Sequence, residues 1–345
     1  MEGKLEQILL TFVIPCFNVE KYIQQCLDSI YLCDLPEGQF EVVCVNDCSP
    51  DNVQVILERN QRQHDNLRIV VHEKNMGLGG ARNTGIREAR GRYLWFVDSD
   101  DVVKAQGLNA LVQRAAEQDL DVLCFNYRRV DEEGKELSTP WVFNNSSTQN
   151  GYAFVKSVFG KGIVSHLGYV WRFIYRTDYL RQHQLFFPEN VRWEDTVFMP
   201  KALLEAERVA AIPDVLYSYR VNANSISGLF GSAYPAGSIF EFAFCAGGDL
   251  LRFSDEVEDE ELKDAFRDTA VQKYINGFPI HLFRTSWKER KGFYALVKAR
   301  KLEMKSLKRE MDLFRRLLLF SGIGQVLIET GTFAYRCCHG WKKRR

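Results

Sequence analysis

Tyr93-Leu94-Trp95-Phe96-Val97-Asp98-Ser99-Asp100-Asp101 passes within a few residues from an unbroken apolar run to a cluster of carboxylates. An apolar run without alternation is the pattern of a strand covered on both faces. The three aspartates that follow repel one another unless something positive lies among them. A hard divalent cation, Mg²⁺ or Mn²⁺, binds one or two protein carboxylates and completes its shell with phosphate and water. A solvated acidic turn with one Asp capping the next helix is the other reading of the same residues.

Working outward, the same kind of run recurs at Ile8–Cys16, Phe40–Val45 and Leu67–His72. Helical spacing of apolar residues fills the intervals at Val19–Leu32, Asn52–Arg62, Leu78–Arg90 and Ala105–Gln118, and a further strand is predicted at Asp121–Tyr127. Strands alternating with helices of this length predict right-handed βαβ units and an α/β fold with a mainly parallel central sheet. Ligands on such sheets bind beyond the carboxyl ends of the strands. Here those ends are Phe17–Glu20, Asn46–Ser49, Glu73–Gly80 and Asp98–Asp101, all polar or Gly-bearing. Residues 128–150 read as a hairpin or loop insertion with a turn at Asp131–Gly134. Aromatic-rich strands and helices follow to Arg220, then a Gly/Ser/Ala-rich linking stretch from Ser225 to Gly248, then helix from Asp249 onward.

Several rim residues have chemistry to offer. Asp47 can accept a hydrogen bond from a base N–H, while Ser49-Pro50 serves equally as a helix start. Lys74 to Asn83 (KNMGLGGARN) is Gly-rich and opens a helix, a setting that suits phosphate. Its spacing is neither GxGxxG nor a P-loop, and a flexible loop is the alternative. Glu194-Asp195 opens the apolar helix Thr196–Ala206, as general base on a hydroxyl or as cap. Tyr169-Val170-Trp171-Arg172-Phe173 offers aromatic faces for a sugar ring or for the core. His166 reads as a metal ligand or as a satisfied loop histidine, and Tyr219-Arg220 with Ser225 as a border for phosphates.

Together these segments resemble the family 2 glycosyltransferases of bacterial polysaccharide type, which have the GT-A fold. The resemblance rests on Val13-Ile14-Pro15-Cys16-Phe17-Asn18, Val45-Asn46-Asp47-Cys48-Ser49, Asn75-Met76-Gly77, Ala81-Arg82-Asn83-Thr84-Gly85 and Phe96-Val97-Asp98-Ser99-Asp100-Asp101, in that order. It covers residues 8–220 and is strongest over the first 105. It implies a GT-A domain over 1–225, with a nucleotide-binding half (8–127) and an acceptor half (128–225), and a helical region at 226–345. It implies that Pro15, Phe17, Asn18, Glu20, Asp47, Asn75, Arg82, Asp98 and Ser99 bind the nucleotide sugar. Asp100 and Asp98 would hold the metal, Mn²⁺ or Mg²⁺, with Asp195 as base beside Glu194. The implied reaction inverts the anomeric centre and moves a sugar from a nucleoside diphosphate, UDP by default, to a glycan or lipid-linked glycan. Cys48 stands where the family often has Gly, and Asn46 where it is often acidic.

Formal charge is zero over 345 residues, which gives no electrostatic case for nucleic acid. From Trp287 onward, however, sixteen Lys/Arg face five Asp/Glu, ending in Trp341-Lys342-Lys343-Arg344-Arg345. This tail reads as a peripheral contact with an anionic membrane or as a helical cap with a solvated face. The nine cysteines are odd in number and form no CxxC pair, the usage of reduced thiols in a cytoplasmic protein. Residues 1–7 lack the features of a signal peptide. The apolar stretch Leu317–Tyr335 is interrupted by Glu329 and three glycines. A nucleotidyltransferase would use a similar sheet and metal but a basic Gly-rich loop near the N-terminus, which Pro15–Glu20 is not. A non-catalytic nucleotide- or glycan-binding protein is the third reading.

Overall fold

The structure is a computed structural model. It describes residues 8–104, 106–139, 143–159, 169–189, 194–222 and 247–267. The chain divides into two units, residues 1–228 and 229–345. In the second, residues 247–256 and 260–267 are helical. His166, Ser225 and the basic tail lie outside the described residues.

The first unit is built on strand β1 (Leu10–Cys16), every residue of which is buried. Helix α1 (Ile23–Tyr31) packs Ile23, Cys26, Leu27 and Ile30 inward, the stripe its spacing predicts. Full burial of such side chains contributes roughly 1.5–3 kcal/mol each. Strand β2 (Phe40–Asn46), helix α2 (Val53–Gln61), strand β3 (Leu67–Val71), helix α3 (Gly77–Glu88) and strand β4 (Tyr93–Phe96) complete the expected alternation. These four strands lie in the order β3-β2-β1-β4 and are all parallel.

Beyond β4 the sheet becomes mixed. After β5 (Val102–Val103) and helix α4 (Leu108–Glu117) come β6 (Val122–Val130) and β7 (Glu136–Ser138). These two form the hairpin expected around Asp131–Gly134. Helix α5 (Gly151–Phe159), β8 (Phe173–Arg176), α6 (Thr177–Gln182), α7 (Glu194–Leu204) and β9 (Val209–Arg220) follow. Strand β8 inserts antiparallel between β4 and β6, and β9 then pairs parallel to β6 and antiparallel to β5. Trp95, Phe12, Phe125 and Tyr217 sit together in the resulting core.

Two details open a crevice at the carboxyl edge. The strand order reverses between β1 and β4, the switch point where ligands of α/β sheets bind. Pro15 also has no N–H to extend the β1–β4 ladder. That ladder stops with the Val97 N–H bonded to the Val13 carbonyl (3.0 Å), while on the other side β2 continues to the Asp47 N–H on Cys16.

Candidate functional site

The rim of this crevice is held together by side chains that clasp neighbouring loops. After β1, Phe17 is exposed and Asn18 takes a left-handed φ of 56°. The Asn18 N–H donates to Ser49 Oγ (2.8 Å), and Ser49 Oγ–H donates to Asp51 Oδ1 (2.6 Å). The Glu20 N–H donates to Asp51 Oδ2 (2.7 Å), and Glu20 accepts from the Asn52 N–H (3.0 Å). Hydrogen bonds to the Asp51 carboxylate hold its pKa below the usual value against the opposing effect of burial. Glu20 thus ties the β1 and β2 loops to each other. Cys48 also has a left-handed φ, 55°, so the tight turn survives without glycine.

Asp47 is buried at the end of β2. Its Oδ1 accepts from the Met76 N–H (2.7 Å), just before α3, and from His72 Nδ1 (2.7 Å). The Asn75 amide reaches the Asp47 carbonyl (3.3 Å), so three residues of the β3–α3 connection converge on Asp47.

Helix α3 carries Arg82, which is buried. One guanidinium nitrogen donates to Asp98 Oδ1 (2.7 Å) at the end of β4, the other to Glu194 Oε1 at the start of α7. Phe187 lies over the guanidinium (5.4 Å). Burial works against the arginine's charge, but Asp98, Glu194 and Asp195 more than offset it and raise its pKa. Burial raises the pKa of Glu194, and Arg82 opposes the shift. Asp195 is half-buried on the same first turn of α7. Asn83 anchors the approach to α7 by bonding the Phe187 backbone in both directions (2.7 and 2.9 Å).

Two glycines of this helix, Gly79 and Gly85, serve packing. A Cβ on Gly79 would come within 2.6 Å of the Pro188 carbonyl, and one on Gly85 within 2.0 Å of Val13 Cγ1. Gly79 lets α3 meet the segment leading to Glu194; Gly85 lets it lie directly on β1.

The acidic run after β4 separates into distinct roles. Asp101 is buried, accepts from Tyr217 OH (2.7 Å) and the Arg220 N–H (2.7 Å), and has its pKa raised by burial and then by Asp100 and Asp98. The Asp98 N–H donates to the same tyrosine oxygen (3.1 Å), so Tyr217 sets the turn. Ser99 is buried beneath the turn. Arg220 Nε donates to the Asp100 carbonyl (2.9 Å), and Arg220 also reaches Gln25 Oε1 (2.5 Å) and the Glu132 carbonyl (2.7 Å). No side chain pairs with the Asp100 carboxylate among the described residues; burial and then the Asp98 charge push its pKa up to about 6.

No group of three or more His, Cys, Asp or Glu able to hold a metal occurs among the described residues. An Asp100 carboxylate without a direct side-chain partner among those residues, and with Asp98 beside it, nevertheless fits a hard cation that takes one or two protein carboxylates and fills its shell with phosphate oxygens. The aromatic residues Trp171, Tyr217 and Tyr219 stack at 9–11°, with Trp171 and Tyr217 buried and Tyr169 part-exposed at the end. The described cysteines, Cys16, Cys26, Cys33, Cys44, Cys48 and Cys124, are free thiols.

The sequence profile described as "Glycosyl transferase family 2" matches residues 11–183, half of the chain, from β1 to just past α6. The chain belongs to glycosyl transferase family 2. Among relatives of this family 2 member, the uncharacterized glycosyltransferase EpsJ of Bacillus subtilis is 33% identical over 220 residues, 64% of this chain and 63% of EpsJ. The poly(ribitol-phosphate) beta-N-acetylglucosaminyltransferase TarS of Staphylococcus aureus is 29% identical over 267 residues, 76% of this chain and 43% of TarS. The alignments thus span less than two thirds of these relatives. In three dimensions the chain is similar to the crystal structure of S. aureus TarS 1-349 in complex with UDP-GlcNAc. The TM-score is 0.68 at 23% identity, covering 95% of this chain and 91% of that one. At that identity the likeness speaks for the GT-A fold.

Arg82, Asp98 and Glu194 were all legible as candidates, but their union was not. His72, Thr84 and Tyr217 were missed: His72 read as the last residue of a strand and Tyr217 as one aromatic among many.

Proposed function

We propose that this chain is an inverting glycosyltransferase that moves a sugar from a UDP-sugar to a hydroxyl of a glycan or lipid-linked glycan, in the building of a surface polysaccharide. One observation carries the reading: a single buried guanidinium, that of Arg82, holds Asp98 of the donor-side rim and Glu194 of the acidic pair. Family membership and the UDP-GlcNAc bound by the TarS structure support the donor class.

In this reading Phe17 stacks on the base, Asp47 accepts from its N–H, and Asp98 meets the ribose. Asp195 takes the acceptor proton as the hydroxyl oxygen attacks the anomeric carbon from the face opposite the diphosphate. A positioned base of this kind contributes ~10²–10⁴-fold. Holding donor and acceptor in line supplies much of the remaining acceleration. Asp100 and Asp98 would hold Mn²⁺ or Mg²⁺, which stabilises charge on the departing diphosphate when bound. Arg82 fixes the two carboxylate-bearing segments relative to each other.

We assign the reaction to the cytoplasm, at the inner face of the membrane when the acceptor is lipid-linked. No helix among the described residues is long and apolar enough to cross a membrane. Residues 300–345 supply the basic contact in this reading; equal liposome flotation with and without them would remove it.

The test is calorimetric titration of UDP, GDP, CDP and dTDP, with and without Mn²⁺, on wild type and Asp100→Ala. The expected outcome is metal-dependent binding of UDP that the variant loses. NMR of the product from UDP-N-acetylglucosamine should show an inverted anomeric proton. Absence of binding by any nucleotide under either condition would overturn the proposal in favour of a non-catalytic protein.

A further inference from the structure

Asp47, His72 and Thr84 form a hydrogen-bonded chain at the rim, with His72 between the other two. His72 Nδ1 lies 2.7 Å from Asp47 Oδ1, and His72 Nε2 lies 2.9 Å from Thr84 Oγ1. The carboxylate side chain is only 3% exposed and the imidazole 12%. An ionised carboxylate can only accept, so Nδ1 carries the proton. In the neutral ring Nε2 is then the acceptor, and the Thr84 hydroxyl donates to it. The carboxylate thereby selects the tautomer, and the hydroxyl, by donating to Nε2, holds the ring in the orientation that presents Nδ1–H to Asp47.

The consequence lies in what is left of Asp47. Its Oδ1 already receives two donors, the Met76 N–H and His72 Nδ1–H. Two donors on one oxygen fix the carboxylate plane. Oδ2 has no partner among the described residues. Asp47 itself is held at β1 by its N–H on the Cys16 carbonyl (3.0 Å) and its neighbour Asn46 by the His72 N–H (2.9 Å), so the fixed plane sits on a fixed strand end.

We propose that His72, held by Thr84, is the positioning residue that makes Asp47 discriminate between nucleobases. A single fixed, charged acceptor favours a base presenting a ring N–H, as the imide edge of uracil or thymine does. It repels a base presenting an unprotonated ring nitrogen at the same place, as cytosine does. The inference rests on the reading of Asp47 as the base-binding residue. It adds that selectivity depends on two residues that never touch the nucleotide.

The experiment measures the dissociation constants of UDP and CDP with Mn²⁺ on the full chain by calorimetry, CDP by competition where weak. Variants are Asp47→Asn, His72→Phe, His72→Asn and Thr84→Val. Loss of one hydrogen bond to a charged group predicts about tenfold weaker UDP binding in His72→Phe. CDP should change less than about twofold, so the selectivity ratio falls by about tenfold. His72→Asn, whose amide N–H can replace Nδ1–H, should recover most of it, and Thr84→Val should fall between. A purely structural role would weaken both nucleotides together and leave the ratio intact, which overturns the inference. Should His72→Phe fail to fold, Thr84→Val decides: an unchanged ratio there sinks the inference. Wild-type selectivity in Asp47→Asn, or no UDP binding by wild type, would instead overturn the reading of the base site itself.

Discussion

Replacing Arg82 by methionine keeps much of the stem volume and removes the guanidinium from between two carboxylates. The side chains of Arg82 and Glu194 are 3% and 6% exposed, whereas Asp98 is 24% exposed and can turn toward water. The penalty therefore falls on Glu194. Removing one partner of a buried pair costs about 3–5 kcal/mol, because the remaining charge stays buried without compensation. At about 2–4 °C per kcal/mol for a domain of 150–250 residues, the melting temperature should drop by roughly 6–20 °C. The loss should depend on pH in a defined direction. Burial already raises the Glu194 pKa and Arg82 opposes it, so in the variant the folded value rises further above the unfolded one. A carboxyl with a raised folded pKa contributes its stability at low pH and loses it as pH rises through that value. The gap between variant and wild type should narrow toward acid and close near the unfolded Glu value of about 4.3. Thermal melts at several pH values, with Glu194→Gln alone and combined with Arg82→Met, measure this directly. Coupling should appear as a double mutant more stable than the sum of single effects. An Arg82→Met protein with wild-type melting at pH 8, or a loss that neither acid nor Glu194→Gln relieves, would refute the reasoning.

Other expectations follow from the same geometry. Asp195→Ala should lower turnover ~10²–10⁴-fold while the UDP dissociation constant stays within about twofold, as steady-state kinetics and calorimetry on one preparation will show. Asp100, raised to about 6, must lose its proton to ligate a cation, so Mn²⁺-dependent UDP binding should weaken as pH falls through about 6; a flat profile between pH 5 and 8 would count against Asp100 as ligand. Gly85→Ala forces a methyl into Val13 and should destabilise by about 1–3 kcal/mol in denaturant titration, with a larger loss for Gly85→Val.

The parts of the fold legible in the sequence are those with one dominant cause. β1, β2 and β4 are buried on both faces, so their composition alone identifies them. Strand β8 is buried over Phe173–Tyr175, but its antiparallel insertion between β4 and β6 follows from packing across distant segments, which no local pattern encodes. Two-residue β5 is too short to carry a signal and exists only because β9 pairs with it. At the site, strand ends could be ranked by their polar residues. The partnership of Arg82 with Glu194, 112 positions apart, could not be read, and neither could the imidazole that steadies Asp47. The glycines between Lys74 and Asn83 suggest phosphate; Gly79 also answers to Pro188, and Gly85, further along α3, answers to Val13. Cys48 shows the opposite case, a residue that departs from the usual glycine while keeping its left-handed backbone.

The clasp joining the β1 and β2 loops bears on how a donor would arrive. Asn18, Glu20, Ser49, Asp51 and Asn52 bond to one another, so the chain's own groups shape the rim. Association need not wait for loops to order, and the entropy of that ordering is not charged to binding. Differences in affinity among donors should then appear in how slowly each one leaves.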